Sequence, residues 1–362
     1  MMSLNNLLDG LAIPIFQAPM VGASTEVLAL AVSRAGGLGS LAAGAMAAAD
    51  IGPAVAAMRA ASDAPFGINL LMAPGAAPDP AEVANALERL GPWYAQLDQP
   101  LPSMPNSFAP DFLAQLDALI TAAPPLASFT FGCLAPDQVE ALHQAGTYVI
   151  GTATTVAEAR AWAAAGADGI CAQGTEAGGH RGHFLADAEA SLVGTMALVP
   201  TILAAVDLPV IAAGGIMDGR GIAAALALGA SAVQMGTAFL LADEAVTSAP
   251  WRGAIAGAGD DPTRLTRAFT GRHARGLENR FMREMRSGED EVPAYPVQNR
   301  LTQPLRAAAA EAGDPDLMSL WAGQAVALTR AAPAADLMHQ WWAEARRASQ
   351  SVAARFRTPS HS

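Results

Sequence analysis

Four times in this chain an Ala-Gly or Leu-Gly pair, at Gly36, Gly146, Gly166 and Gly229, is followed at once by a short apolar run. Glycine closes helices because it enters the left-handed conformation without penalty, so the phrase reads as helix, stop, strand. Extending the search gives eight such runs in the first 240 residues: 13–20 (IPIFQAPM), 37–44 (GLGSLAAG), 66–72 (FGINLLM), 128–133 (SFTFGC), 147–152 (TYVIGT), 167–172 (ADGICA), 208–216 (LPVIAAGGI) and 230–240 (ASAVQMGTAFL). A helix-length segment separates each from the next. Strands that read as continuous apolar stretches are buried on both faces, as in parallel sheets. Eight of them in strict alternation with helices predict an α/β fold, the (β/α)8 TIM barrel, in preference to a doubly wound open sheet.

Local signals fill in the helices. Ser24 or Thr25 is placed to cap the first, Asp50 the second, and Pro136-Asp137 opens another in the favoured first-turn position. Residues 73–110, rich in Pro and Ala, interrupt the alternation after the third strand; they read as a long excursion with a helix over 81–90, a flap over the barrel mouth. A further helix is expected over 110–122. The barrel is expected to span 1–240, followed by a small capping domain over 241–306 that holds much of the basic charge, and by C-terminal helices over 307–362 that pack back on the barrel.

Composition narrows the partners. A formal charge of −12 and a pI near 4.9 argue against nucleic acid, whose phosphates need clustered Lys and Arg. With 52% hydrophobic residues the chain has a large interior, but its apolar runs stay short of a membrane span. The first residues lack the pattern of a secretory signal, so a cytoplasmic enzyme acting on small molecules is expected. Cys133 and Cys171 lie in apolar runs and read as reduced structural thiols in preference to nucleophiles.

Active sites of such barrels gather at the C-terminal ends of the strands. Here those ends carry Ala18, Pro19 and Met20, then Asn69, Gln173, Gly214 and Gly215, and finally Gln234, Met235, Gly236 and Thr237. None is charged. Small residues and neutral amides suit a flat, polar-edged cofactor approached by backbone. The turns at 214–215 and 234–237 occupy the usual phosphate cradle of the fold, and the helix starting near Asp218 could aim its N-terminal dipole at the same anion. Against this, the glycines could simply form tight turns, and Asn69 could be a satisfied core amide.

The most chemically loaded stretch is QGTEAGGHRGH, residues 173–183, emerging where the sixth strand ends. Gly178 and Gly179 let the loop close over the barrel mouth, and His180 carries an imidazole of the type used as general base. A structural hydrogen bond is its alternative role. His180 and His183 lack the Cys, Asp or Glu neighbours of a metal site, so no metal is expected. Glu176 reads as a brace for the loop. The run GRHARG at 271–276 either contacts a phosphate, covers the site or forms a solvated face.

The histidine loop, together with Gln17-Ala18-Pro19-Met20, Ala212-Ala213-Gly214-Gly215-Ile216, Gln234-Met235-Gly236-Thr237 and Trp321-Ala322-Gly323-Gln324, resembles the nitronate monooxygenases, formerly 2-nitropropane dioxygenases. Their superfamily also holds FMN-dependent enoyl-acyl carrier protein reductases and NAD(P)H:quinone reductases. The resemblance implies FMN bound without a covalent link by Ala18, Pro19, Met20, Asn69, Gln173, Gly178, Gly214, Gly215 and residues 234–237. It implies His180 as the catalytic residue that orients the nitronate and can take the α-proton of a nitroalkane, and oxidation by O2 to a carbonyl compound and nitrite. The expected partners are a small-molecule nitronate and O2, with a homodimer as the candidate assembly. One departure stands out: where a subgroup carries a second tyrosine and a lysine downstream of the position of Tyr295, this chain has Asn299 and Gln303. Competing readings are an FMN-dependent NAD(P)H:quinone or enoyl-thioester reductase, and a flavin-free barrel acting on or binding a phosphorylated metabolite.

Overall fold

Eleven strands form in the computed structural model, which describes residues 4–73, 78–105, 107–185 and 187–356. They are β1 Ile15–Gln17, β2 Gly39–Ala42, β3 Phe66–Leu71, β4 Leu126–Thr130, β5 Tyr148–Ala153, β6 Gly169–Gln173, β7 Gly179–His180, β8 Val210–Ala213, β9 Ala232–Met235, β10 Thr263–Thr266 and β11 Ala274–Leu277. Eight pair in parallel in the order β1-β9-β8-β6-β5-β4-β3-β2. A parallel bridge between Phe16 and Leu38 joins the first of these to the last: Gln17 N donates to Leu38 O at 2.9 Å and Leu38 N to Ile15 O at 3.0 Å. The sheet therefore closes into the expected (β/α)8 barrel, whose interior is filled by Phe16, Leu38, Ile150, Cys171, Ile211 and their neighbours.

Each barrel strand owes its place to a helix packed outside it. Gly151 illustrates the closeness: a Cβ there would lie 2.0 Å from Trp162 Cδ2, because the indole of the helix Val156–Ala165 rests directly on β5. Thr25 caps the helix Glu26–Arg34 by accepting from Leu28 N. The next helix, Ala48–Ala61, starts earlier than expected, with Ala47 and not Asp50 at its N-cap. Asp50 instead sits inside the first turn, where its charge complements the helix dipole. The fourth strand also shifts, to Leu126–Thr130, because the chain turns at Phe131 with φ +81°.

Between β9 and its barrel helix lies an insertion with its own interior. The second core joins Val83, Leu90, Trp93 and Tyr94 of the helix Pro80–Gln96 to Trp251, Phe269, Phe281, Leu301, Leu305, Leu317 and Leu320. Tyr94 clamps this contact by donating its hydroxyl to Leu301 O at 2.7 Å. Within the excursion over 73–110, residues 74–77 and 106 lie outside the described residues, and none of the described ones lines the cavity at the barrel mouth. Among the described residues the excursion buttresses the cap, because burying Trp93 and Tyr94 fixes the helix Pro80–Gln96 there. The helix Val297–Ala312 shares this second interior, so segments 241–306 and 307–326 have one core. The final helix, Ala334–Arg355, returns to the barrel, seating Leu337, Met338 and Trp341 between the helices Glu26–Arg34 and Gly219–Ala227. It completes the ring.

No helix among the described residues is long and apolar enough to cross a membrane.

Candidate functional site

At the C-terminal ends of the barrel strands, under the inserted cap, lies a cavity of about 460 Å³. The strand-end residues Ala18, Pro19, Met20, Asn69, Gln173, Gly214, Gly215, Gln234, Gly236 and Thr237 all line it, as do Gly178 and His180 from the histidine loop. Met235 does not. Side chains alternate along β9, so Gln234 faces the barrel mouth while Met235, 1% exposed, is buried against the surrounding helices; only its carbonyl bears on the site, accepting from Ala18 N at 2.8 Å.

The turns after β8 and β9 are shaped for backbone approach. Gly214 and Gly215 have φ of +118° and +71°, conformations costly for other residues. Among the described residues, the N–H groups of Gly215, Ile216, Gly236 and Thr237 have no protein acceptor. The Thr237 hydroxyl accepts from Gly323 N at 2.9 Å and keeps its own hydrogen free to donate. The helix Gly219–Ala227, by contrast, does not offer its N-terminus to a ligand. Asp218 caps it, accepting from Arg220 N and Gly221 N, and Glu344 accepts from Gly219 N at 3.3 Å. Those carboxylates already satisfy the dipole.

The histidine loop is held from both ends. The Gln173 side chain donates to His180 O at 3.0 Å and accepts from Gly182 N at 2.8 Å. Arg181, wholly buried, donates to Gln173 O, Gly174 O and Ser191 O, folding the loop around its guanidinium. Glu176 braces the base of the loop through Thr195 N and Oγ1. Gly178 allows a close approach to the cap, since a Cβ there would lie 2.6 Å from Ala322 C and Gly323 N. From the cap, β11 pairs with β7 so that Ala274 faces His180. The GRHARG run is therefore not a solvated face but packs on the histidine loop: Arg272 donates to the carbonyls of Arg181 and His183, and Arg275 to that of Thr175.

These contacts define the protonation of His180. Its Nε2 lies 2.9 Å from Thr270 Oγ1, which is also 3.1 Å from the Arg272 carbonyl oxygen. With the one hydroxyl hydrogen assigned to that carbonyl, Nε2 is the donor and Nδ1 is left as an open acceptor. Phe131, Tyr295 and Trp321 surround the imidazole with ring centroids 5.6 Å away. Burial, reinforced by the Arg272 and Arg306 charges, pulls its pKa down to about 3. The imidazole is neutral at physiological pH, and it is a weaker base than an exposed histidine would be.

Charge around the site is lopsided for so acidic a chain. Arg181, Arg272 and Arg306 are each desolvated, with pKa values pulled down to about 10, and their hydrogen bonds go to neutral acceptors. The Cys171 thiol at the cavity floor is pushed up to about 12 by burial, and the partly buried Cys133 to about 11, so neither is a thiolate nucleophile. Asn69 donates to Ser128 O and Oγ, as a core amide would, yet its side chain also borders the cavity.

Sequence reading missed Thr270, Phe131 and Arg306. Arg306 is one of several arginines in a basic stretch, and nothing local marks it as facing inward. Its helix also separates the two departures noted above: Asn299 lines the cavity, whereas Gln303 is exposed and pairs with Arg300.

Comparison with known proteins agrees with this architecture. Residues 5–344 match the family model for nitronate monooxygenase. A nitronate monooxygenase of Pseudomonas aeruginosa is 46% identical over 334 residues, 91% of this chain and 95% of that one. A probable nitronate monooxygenase of Staphylococcus aureus is 40% identical over 326 residues, 90% and 92% of the two chains. Among solved structures, a nitroalkane oxidase from Streptomyces ansochromogenes superposes with a TM-score of 0.89 at 42% identity, covering 96% of this chain and 99% of that one. FabK from Thermotoga maritima does so with 0.75 at 30% identity, covering 98% and 100%.

Proposed function

We infer the reaction from one premise: the chain belongs to the nitronate monooxygenase family. It is an oxidoreductase acting on nitronates or nitroalkanes. What remains to be assigned is the cofactor, the oxidant and the protonation state of the substrate it takes.

FMN is the cofactor that fits. Four N–H groups without acceptors on the turns after β8 and β9, with the Thr237 hydroxyl beside them, form a neutral cradle for a phosphate dianion. Ala18, Pro19, Met20, Asn69, Gln173 and Gly178 would border the remainder of the group. When bound, FMN supplies the electron transfer and the reaction with O2 that yield a carbonyl compound and nitrite.

The substrate form follows from the electrostatics. A histidine with its pKa near 3 is poorly suited to remove a proton from a neutral nitroalkane. The same cationic surroundings attract a preformed anion. We therefore assign the nitronate as the preferred substrate and His180 as the residue that orients it. A bound anion opposes the fields of Arg272 and Arg306 and draws the His180 pKa back up, so that Nδ1 can hold a proton against a nitronate oxygen. Phe131, Tyr295 and Trp321 pack around the imidazole and hold its orientation.

The observation that carries this reading is that His180 and the open glycine turns border one cavity. Its test is aerobic incubation with an alkyl nitronate, following O2 uptake and nitrite. Nitrite release without NADH is expected. No nitrite, with NADH consumed in the presence of a quinone or enoyl thioester, would assign the reductase activity instead.

A further inference from the structure

The cap places a cation in the cavity wall for which no described residue supplies a counter-charge. Arg306 is partly buried on the helix Val297–Ala312, with Asn299 and Thr302 on the same face at spacings of seven and four. Its Nη2 donates to Asn299 O at 2.9 Å and to Asn299 Oδ1 at 2.8 Å, its Nη1 to Ser319 Oγ at 3.2 Å, and its Nε to Thr302 O at 3.4 Å. Those bonds use four of the five guanidinium hydrogens and leave one on Nη1. All four acceptors are neutral. Elsewhere carboxylates pair with Arg89, Arg220, Arg264, Arg286 and Arg330, so acids are not scarce in this chain; they are absent at this guanidinium among the described residues.

A desolvated charge without a counter-ion is costly, and a site that retains one is completed by an anionic ligand. The position indicates which ligand. Arg306, Asn299 and Ser319 border the same cavity as His180 and Tyr295, and the Arg306 charge acts on both of those residues. The cradle on the turns after β8 and β9 is built from N–H groups of the barrel, whereas Arg306 belongs to the cap.

We propose that Arg306, held in place by Asn299 and Ser319, is the specificity residue that anchors a planar two-oxygen anion of the substrate. That anion is either the nitronate group itself or a carboxylate carried on the same molecule. A guanidinium suits both, because its hydrogens match the spacing of paired oxygens. Asn299 positions the guanidinium by fixing Nη2 and does not itself need to touch the substrate.

This rests on the oxidation of nitronates proposed above, and the experiment separates the two claims. Wild type, Arg306→Met and Arg306→Lys holoenzymes are assayed with the nitronates of 1-nitropropane and of 4-nitrobutanoate, which differ by a terminal carboxylate. Binding of nitrate and of butanoate, anions that cannot react, is followed by perturbation of the flavin spectrum. A KM raised on the order of 10- to 100-fold is expected in Arg306→Met, the effect of losing one charge-assisted hydrogen bond, with kcat changed far less and partial recovery in Arg306→Lys. An increase for both nitronates identifies the nitronate group as the anion held; an increase for the carboxylated one alone identifies the carboxylate. Unchanged KM for both overturns the proposal, as does loss of bound FMN, which would place the charge on the cofactor. If Arg306→Met fails to fold, wild type decides: no binding of either nitrate or butanoate overturns it. Should wild type oxidise neither nitronate, the function proposed above fails, while nitrate and butanoate binding still tests Arg306.

Discussion

Replacing Thr270 with valine tests the tautomer on which the role of His180 depends. Thr270 is 1% exposed and does not line the cavity, so the change keeps shape and leaves the cofactor walls untouched. It removes the oxygen 2.9 Å from His180 Nε2. The Nε2 hydrogen is then buried without an acceptor, at a cost of about 1–3 kcal/mol. The ring escapes that cost by turning, which takes Nδ1 away from the cavity, or by giving up the Nε2 proton, which removes the imidazolium charge that pairs with a bound nitronate. At about 1.4 kcal/mol per tenfold in rate, kcat/KM for a nitronate should fall roughly 5- to 150-fold. FMN content should stay at the wild-type level, and Thr270→Ser, which keeps the hydroxyl, should recover most of the loss. Nitrogen NMR of labelled histidine reads the tautomer directly. A Thr270→Val enzyme within about twofold of wild type, or a serine variant as impaired as the valine one, would refute the reasoning from the Thr270 bond to catalysis.

Three further outcomes follow from the same geometry. His180→Asn should abolish most nitronate turnover while FMN stays bound, because the cradle lies on other elements; loss of flavin together with activity would contradict that separation. Gly178→Ala should lower the melting temperature and impair turnover, because its Cβ would meet backbone at 2.6 Å, an overpacking worth about 1–3 kcal/mol. Gly179→Ala meets nothing within 4 Å and strains only a φ of +74°, so it should be the milder of the two; the reverse order in thermal unfolding would contradict this packing. Stability should fall with acid well above the carboxylate range. His180 and His183 stay neutral in the fold down to about 3 and about 4, but in the unfolded chain they take up protons near 6.5. The unfolded state therefore binds more protons below about pH 6.5, and each histidine removes up to about 1.4 kcal/mol per pH unit as pH falls from there toward 4. Melting temperatures that do not change between pH 7 and 5 would count against the half-buried, neutral histidines.

The barrel was legible because its strands are buried on both faces and four of them begin after a helix-closing glycine. The histidine loop and both glycine turns were legible from their position after the strands they follow. Met235 needed one more step, since period-two alternation already places Gln234 and Met235 on opposite faces of β9. Other features are long-range and leave no local trace. The pairing of β7 with β11 joins a two-residue strand to a partner about 95 positions later, too short a pattern to show periodicity. The excursion looked like a flap because its partners, Phe281 and Leu301, lie some 200 residues further on. Asp218 pointed to an anion site only because its capping bonds and Glu344 were not visible in the sequence. The inward turn of Arg306 depends on helix phase and on a cap core that no periodic pattern announced.

The central claim is that the cavity holds an oxidised flavin beside an imidazole that orients a nitronate. Anaerobic mixing of the purified holoprotein with an alkyl nitronate, and separately with NADH, tests it most directly. Rapid loss of the visible flavin absorbance with the nitronate and none with NADH is the predicted result. Bleaching by NADH alone, or a protein that carries no flavin, would contradict it.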